Sequence, residues 1–556
     1  MTNKPMRLMM ALLCSVSLSG CYTLASQPPA TRAVDLTIPP AMDIAPTLDR
    51  VTPSAESLLW PDDVRFLTDV EKTRDSYADL AADGALELTP ESAVITALSR
   101  NRALAVEQFR PTIAGTFVQT ERAVFDPVLF AEGRVSRDTE RSFDGGTGRF
   151  FSIDGRGHAI TAGAEQLFPT GTTLAVDITQ SRRNTDRTTG IDQTRAGLNL
   201  TQAILRGGNI RANMASLHQA EAVALASSYN LRGFAESLVA SVENAYWDYA
   251  LARRQIEIFQ ESAALAELQL EETRARITVG QLAETEEAAA NAELALRQQQ
   301  LIDARNNAEK ARLSLLRLLN VPSPQGWERD ITIADDAVIV PEVSLGNADE
   351  HEALALRLRP DLNEARLQAR QGELETIQTA NGLLPRLDLF LNMGKTGYAQ
   401  SVGSSISDLD GSGYDFTGGL RMEMPYGNRA ARAADRRARA GYQQALQSIE
   451  NMRQLVSLDV RTALLEVERS LQQIDAIAAR RVLQEEILRA ESERFRVGNA
   501  TALDVSRAQR DLLESQISEV EAIVNYRKAL TDLYRLDGTL LIRRGIQGPG
   551  DEEVLI

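Results

Sequence analysis

The chain has 556 residues, of which 43% are hydrophobic but only 5% aromatic, and Ala, Leu, Gln, Glu and Arg fill long stretches of it. This composition favours extended helices over a compact enzyme core, and the length favours two or more structural units. The formal net charge of −17 argues against nucleic acid as a partner.

The N-terminus, residues 1–20, is predicted to be an export signal. Lys4 and Arg7 provide the positive charge, and the apolar run from Leu8 to Leu18 is too short to span a bilayer. Removal of this segment makes the remaining chain more acidic still.

The signal ends in Leu18-Ser19-Gly20-Cys21, which resembles the bacterial lipobox. This resemblance implies that Cys21 carries a lipid anchor that includes a palmitate chain. Tyr22 stands where an aspartate tends to retain lipoproteins at the inner membrane, so the outer membrane is the implied destination. The alternative is an ordinary signal peptide followed by a chance cysteine. Because Cys14 leaves with the signal, no disulfide is expected.

Residues 21–85 are predicted to form a lipid-anchored, extended tether, because seven of the 19 prolines lie between Gln27 and Pro61. No apolar run of about 18 residues occurs after residue 20, so no further helical membrane crossing is predicted.

The rest of the chain is predicted to contain two copies of one unit, residues 86–345 and 346–542, followed by a tail, residues 543–556. Arg276-Ile277-Thr278-Val279-Gly280 matches Arg494-Phe495-Arg496-Val497-Gly498, and both motifs lie in long stretches without proline. Each motif is therefore expected at the tip of a long helical hairpin. A helix from about Arg211 to Thr278 would be about 100 Å long.

Strands are predicted ahead of each hairpin from alternating apolar residues. In the first unit these are Leu174, Val176, Ile178, Leu198 and Leu200, and in the second they are Leu387, Leu389, Leu391, Met393, Phe416, Leu420, Met422 and Met424. Such strands suit a transmembrane barrel, although a soluble sandwich has the same alternation. Four to six strands cannot close around a channel, so several chains would have to share one barrel.

The first unit holds about 40 residues more than the second ahead of its tip motif. We interpret them as an extra membrane hairpin with strands at 159–167 and 172–178 and a turn at Phe168-Pro169-Thr170-Gly171. The flanking polar segments, 137–157 and 181–194, are expected to be loops. Six strands per chain would result, and eighteen in a trimer, unless the hairpin folds over the barrel mouth instead.

No enzyme signature, cofactor site or metal site is predicted. Met393-Gly394-Lys395-Thr396 lacks the first glycine of a P-loop, since Leu389 stands there. His158, His218 and His351 are scattered, without the spacing of a zinc site. We therefore name no catalytic residue.

Two such units, with Val-Gly turns and the Gly207-Gly208-Asn209 and Tyr426-Gly427-Asn428 turns after the strands, resemble TolC-type outer-membrane efflux factors. The resemblance covers roughly residues 86–542. It implies an α+β membrane protein that forms a homotrimer. Long antiparallel helical hairpins build a periplasmic tunnel, and three chains share one β-barrel.

The resemblance also implies roles for particular residues. The tips would dock a periplasmic adaptor protein through Arg276, Val279, Gly280, Arg494, Val497 and Gly498. An acid follows each tip glycine six positions later, Glu286 and Asp504, and a ring of such acids would narrow the channel. Thr501 to Asp504 equally fits a capping box, and Arg507 replaces the second aspartate of the family.

The implied function is a passive exit duct of a tripartite efflux or type I secretion system, powered by an inner-membrane transporter. The alternative is a structural periplasmic coiled-coil lipoprotein without a channel. A periplasmic adaptor is a poorer match, because an adaptor carries one helical hairpin and this chain has two.

Overall fold

The computed structural model describes residues 85–186, 190–321, 325–334, 339–341, 343–550 and 554. The predicted signal, Cys21 and all but the last residue of the tether lie outside the described residues. Two halves share one plan, in which a pair of helices, a set of strands and a long helical hairpin follow one another. The boundary predicted between residues 345 and 346 falls in the segment that joins these halves.

The helices of the first half begin with a pair that precedes the strands, and a short helix leads into the hairpin. They are α1 (Pro90–Arg100), α2 (Arg102–Ala123), α3 (Ile210–Asn213), α4 (Ala215–Thr278) and α5 (Thr285–Leu319). Asn101 separates α1 from α2, and its side chain accepts hydrogen bonds from the amides of Ala103 and Leu104.

The second half repeats the pair of helices and the long hairpin, with one short helix between its two strands and another after the hairpin. Its helices are α6 (Ala348–Leu358), α7 (Pro360–Gly382), α8 (Val402–Ser407), α9 (Arg429–Arg496), α10 (Ala502–Leu536) and α11 (Leu540–Arg543). The long arms α4 and α9 contain 64 and 68 residues, and the return arms α5 and α10 contain 35 each. The prediction of two long hairpins is confirmed, and each long arm measures about 100 Å.

One detail of the helix prediction is wrong. A single helix from about Arg211 to Thr278 was expected, whereas Met214 separates α3 from α4. The side chain of Asn213 donates hydrogen bonds to the carbonyls of Pro169 and Gly207, which fixes α3 against the strand turns. The break therefore marks the point at which the chain leaves the sheet.

Strands form two sheets. A small parallel pair joins β1 (Leu86–Leu88) to β6 (Ile331–Ile333). The large sheet is antiparallel and has six strands in the order β2 (Val128–Asp144), β3 (Arg149–Leu167), β4 (Thr172–Thr185), β5 (Asp192–Ala203), β7 (Arg386–Ala399) and β8 (Tyr414–Glu423).

The two extra strands predicted in the first half are present as β3 and β4, and their place in a membrane stays a prediction. The turn between β3 and β4 is closed by hydrogen bonds from the Phe168 amide to the Thr172 carbonyl and from the Gly171 amide to the Phe168 carbonyl. Gly171 has a φ of 77°, a conformation that glycine adopts readily.

The loops predicted at 137–157 and 181–194 are largely wrong. β2 continues to Asp144, β3 begins at Arg149 and β4 continues to Thr185. The polar side chains at these positions indicated loops. Backbone pairing, however, does not depend on side-chain polarity. A strand with water on both faces does not need alternating apolar and polar residues. The sheet therefore extends beyond its apolar part.

The core of the helical region surrounds the middle of α4. Tyr246 and Tyr249 are buried there, and their hydroxyls donate hydrogen bonds to the carbonyls of Leu88 and Ile331. Both strands of the small parallel sheet are thereby bound to α4. The guanidinium of Arg527 stacks over the Trp247 ring at 3.9 Å, so α10 is held against the same helix.

Candidate docking tips and channel-lining face

The two hairpin tips have the same backbone structure. Gly280 and Gly498 have φ values of 75° and 80°. At the first tip, the Gly280 and Gln281 amides donate to the carbonyls of Ile277 and Arg276, and at the second the Gly498 and Asn499 amides donate to Phe495 and Arg494. This is the Schellman arrangement that ends a helix at a glycine. The repeated Val-Gly sequence thus produces identical turns.

The tips lie side by side. The Arg276 guanidinium of the first tip is 4.8 Å from the centre of the Phe495 ring, which belongs to the second. Val279 and Val497 are 68% and 65% exposed. Arg494 forms an ion pair with Glu491 within its own helix, with a nitrogen to oxygen distance of 2.6 Å. The result is a surface of two exposed valines with arginines beside them.

Asp504 forms the capping box of α10. Its carboxylate accepts hydrogen bonds from the Thr501 amide and hydroxyl at 3.0 and 2.7 Å, and its own amide donates to the Thr501 hydroxyl. These bonds hold the pKa of Asp504 below its ordinary value, and the nearby Arg507 and Arg494 lower it further. Asp504 is therefore an acid that is ionised at neutral pH, with its side chain half-buried at the start of α10. Glu286 occupies the equivalent first turn of α5.

One face of the large sheet is apolar. Residues directly opposite on neighbouring strands share a face. One row of opposed residues crosses the whole sheet and consists of Leu129, Ala164, Val176, Leu198, Met393 and Phe416. Leu129, Val176 and Phe416 are 82%, 49% and 62% exposed in the single chain. This face needs an apolar covering.

The opposite face is polar and lies on the inside of the curled sheet. At the end nearest the helices it lines a cavity of about 470 Å³, to which β3, β4, β5, β7 and β8 all contribute residues. Among these are Thr173, Thr201, Arg386, Asp388 and Glu423. An apolar outside with a polar inside is the pattern of a barrel that spans a membrane around water.

An ionic cluster spans four strands of the polar face. Arg195 on β5 donates from Nε and a terminal nitrogen to the two carboxylate oxygens of Asp415 on β8, at 3.1 and 2.7 Å. Asp177 on β4 lies 3.9 Å from the other terminal nitrogen. Gly197 and Gly394 leave the space that these side chains occupy, since a Cβ at either position would lie within 2.8 Å of the ionic groups. The cluster thus depends on glycine at both sites.

A second ionic cluster is buried where the two halves meet. Arg232 on α4 is fully buried; its Nε donates to Glu236 at 3.1 Å and a terminal nitrogen donates to the Gly538 carbonyl at 3.3 Å. Asp537, also fully buried, accepts a hydrogen bond from Thr539 and contacts His351 Nδ1 at 2.8 Å. These contacts fix the end of α10 to both α4 and α6.

Burial raises the pKa of Glu236 from 4.5 to about 7, against the opposing effect of Arg232. The folded state therefore retains a proton between pH 4.5 and 7 that the unfolded chain has lost. We expect stability to fall as pH rises through this range and to level off above it. Unfolding temperatures at pH 5 and pH 8 measure this slope.

The matched variants are Glu236→Gln, which should reduce the slope, and Glu257→Gln, which should retain it because the Arg254–Glu257 pair is exposed. An unchanged slope in Glu236→Gln would assign the pH dependence to other groups.

The tips contain every residue that the sequence singled out for docking, and the repeat was the signal that located them. Phe495 was part of the repeated motif, but its contact with Arg276 was not predicted. The Arg195–Asp415 pair was also missed. Its partners lie on strands separated by β7, and only the register of the sheet brings them together.

None of the helices in the described part of the chain combines the length and the apolar composition that a membrane-spanning helix needs.

The model of the outer membrane efflux protein family matches residues 94–321 and 353–539 of the chain. The chain belongs to the outer membrane efflux protein family. The sequence resemblance is thereby confirmed, and the matched residues include both hairpins with their tips. No curated protein sequence matches the chain significantly.

Solved structures of outer-membrane channels share the fold of this efflux family member. The outer-membrane channel OprN has a TM-score of 0.60 and 19% identity, with 91% of this chain and 99% of that chain covered. The CmeC outer membrane channel of Campylobacter jejuni has a TM-score of 0.58 and 15% identity, covering 90% and 94%. The open-state MtrE outer membrane channel of Neisseria gonorrhoeae has a TM-score of 0.56 and 20% identity, covering 81% and 89%.

Proposed function

We propose that three copies of this chain form the outer-membrane channel of a tripartite efflux or type I secretion system, a passive exit duct from periplasm to exterior. The observation that carries the proposal is the large sheet, apolar outside and polar inside, joined to helical hairpins about 100 Å long. The sheet would span the membrane and the hairpins would extend into the periplasm. An inner-membrane transporter supplies the energy, and a periplasmic adaptor connects it to the tips.

A homotrimer is supported by an exposed apolar stripe on α2. Val106, Phe109, Ile113 and Phe117 recur at helical spacing and are 50–64% exposed in the single chain. A stripe of this kind on a helix normally packs against another helix. A second copy of the chain would cover this stripe, and it would also supply the neighbouring strands that the large sheet needs in order to close.

The alternative, a structural periplasmic lipoprotein without a channel, predicts a different behaviour in detergent. The proposed channel gives a trimer after chemical cross-linking and a band that migrates faster before heating than after it. A monomer or dimer that migrates identically with and without heating would favour the alternative.

Asp504 is proposed to form, with its two symmetry copies, a charged ring at the periplasmic entrance. Asp504→Asn is expected to lower cation selectivity and to weaken block by multivalent cations, because the ionised carboxylate is lost while a polar side chain remains beside Thr501. Arg507→Gln should raise cation selectivity instead, because it removes a positive charge. Bilayer recordings under a salt gradient measure the selectivity of both variants. Equal selectivity in the wild type and the two variants would show that Asp504 only caps α10.

Cys21 is proposed to carry the lipid anchor. Mass spectrometry of the mature N-terminal peptide should find Cys21 as the first residue with acyl chains attached. Cys21→Ser is expected to remove the acyl mass, while the sheet can still hold the protein in the membrane. An unmodified Cys21, or a mature chain that starts elsewhere, would exclude the anchor.

A further inference from the structure

We infer, on the basis of the proposed channel function, that each chain contributes six membrane strands and that the trimer closes an eighteen-stranded barrel. The first half supplies β2 to β5 and the second half β7 and β8, in one unbroken antiparallel ladder. The extra hairpin lies within this ladder, because β3 pairs with β2 on one side and with β4 on the other. It is not a flap outside the sheet.

All six strands present apolar residues on the same face. The row from Leu129 to Phe416 passes through Ala164 on β3 and Val176 on β4 without interruption. Residues two positions along from this row, such as Ile178, keep the same face and are also exposed. The extra hairpin therefore needs the same apolar covering as the other four strands.

The apolar band crosses the sheet diagonally. On β2 it extends from Leu129 towards Val135, away from the helices, whereas on β8 it extends from Phe416 to Met422, towards them. Leu129 and Phe416 lie in the same row, so the band shifts along the strands from one edge to the other. The strands of a membrane barrel are tilted by about 35–45°. The hydrocarbon core of the bilayer therefore meets each successive strand at a position displaced along the chain, which requires such a shift.

The two edges of the sheet have no partner strand within the described residues. β2 and β8 each pair on one side only, and long edges next to an apolar face are sites of further pairing. A second copy of the chain supplies the complementary edge at each side, β8 of one copy against β2 of the next. Three copies close the ring, and its diameter exceeds that of a twelve-stranded barrel by about half. A wider exit would admit bulkier cargo.

Single-cysteine variants of the full-length protein in outer-membrane vesicles test the position of the extra hairpin. Ile160 lies on the apolar face of β3 and Thr161 on its polar face. With a membrane-impermeant maleimide, Thr161→Cys is expected to react on the order of ten-fold faster than Ile160→Cys, since only the polar face meets water. Equal, rapid labelling of both would place the hairpin outside the bilayer and overturn the inference.

The strand count gives the second measurement. Electron cryomicroscopy of the purified trimer should resolve eighteen strands, and a variant with residues 145–189 deleted should resolve twelve. A wild-type trimer with twelve strands would overturn the wider barrel while leaving the channel function intact. A protein without a trimeric barrel would instead contradict the proposed function itself.

Discussion

Replacing Arg232 by methionine is expected to lower the free energy of unfolding at pH 8 by on the order of 3–5 kcal/mol. The substitution leaves Glu236 almost fully buried and without its countercharge, and it removes a hydrogen bond to the Gly538 carbonyl. Arg232 opposes the rise in the pKa of Glu236, so without it the carboxyl at pH 8 must either stay ionised in the core or take up a proton, and either costs free energy. Because the hydrogen bond from Arg232 to Gly538 joins α4 to the segment just after α10, loss of stability extends across both halves.

Two variants make this prediction specific. Arg232→Met combined with Glu236→Leu should recover most of the lost stability, since a buried ion pair is replaced by apolar groups of similar volume. Arg254→Met should change the free energy by less than about 1 kcal/mol, because its pair with Glu257 is exposed. Equal unfolding temperatures for Arg232→Met and Arg254→Met would show that the buried pair does not contribute to stability.

Charging both tips is expected to abolish binding of the periplasmic adaptor. Val279→Asp and Val497→Asp place carboxylates on the two exposed apolar side chains of the tip surface, and each should weaken binding by more than about ten-fold if it lies at the centre of the interface. The turns themselves should persist, because Gly280 and Gly498 retain their positive φ. Binding of the purified adaptor from the same host to the immobilised trimer measures the effect.

Val482→Asp is the matched control. Val482 is exposed to a similar degree on α9 but lies away from the tip. If the adaptor binds the tip variants as well as it binds the control and the wild type, the docking assignment is wrong and the Val-Gly motifs only end helices.

The helical part of this fold was predictable because its signals are local. Stretches without proline indicated the long arms, and the repeated Val-Gly motif indicated both tips, where glycine accepts the positive φ that the turn requires. The extra hairpin was predictable for the same reason, since alternation and the Phe168–Gly171 turn are local features. The repeat then indicated that the two helical hairpins belong to two copies of the same unit.

The remaining features depend on contacts that sequence patterns do not encode. Arg232 and Glu236 stand on a helix rich in charged residues, and nothing in the local sequence indicates that both are buried. The extent of β2 to β4 was missed because polar residues continue the ladder beyond the apolar band. Arg195 and Asp415 are 220 residues apart, and only the pairing of β5, β7 and β8 brings them together.

Single-channel recording of the purified full-length protein in a planar lipid bilayer tests the central claim most directly. A trimer that forms an outer-membrane channel should produce discrete, uniform current steps on insertion, and these should vanish when the protein is heat-denatured beforehand. A stable, correctly folded trimer that produces no current steps under either polarity would contradict the account and favour a structural lipoprotein without a channel.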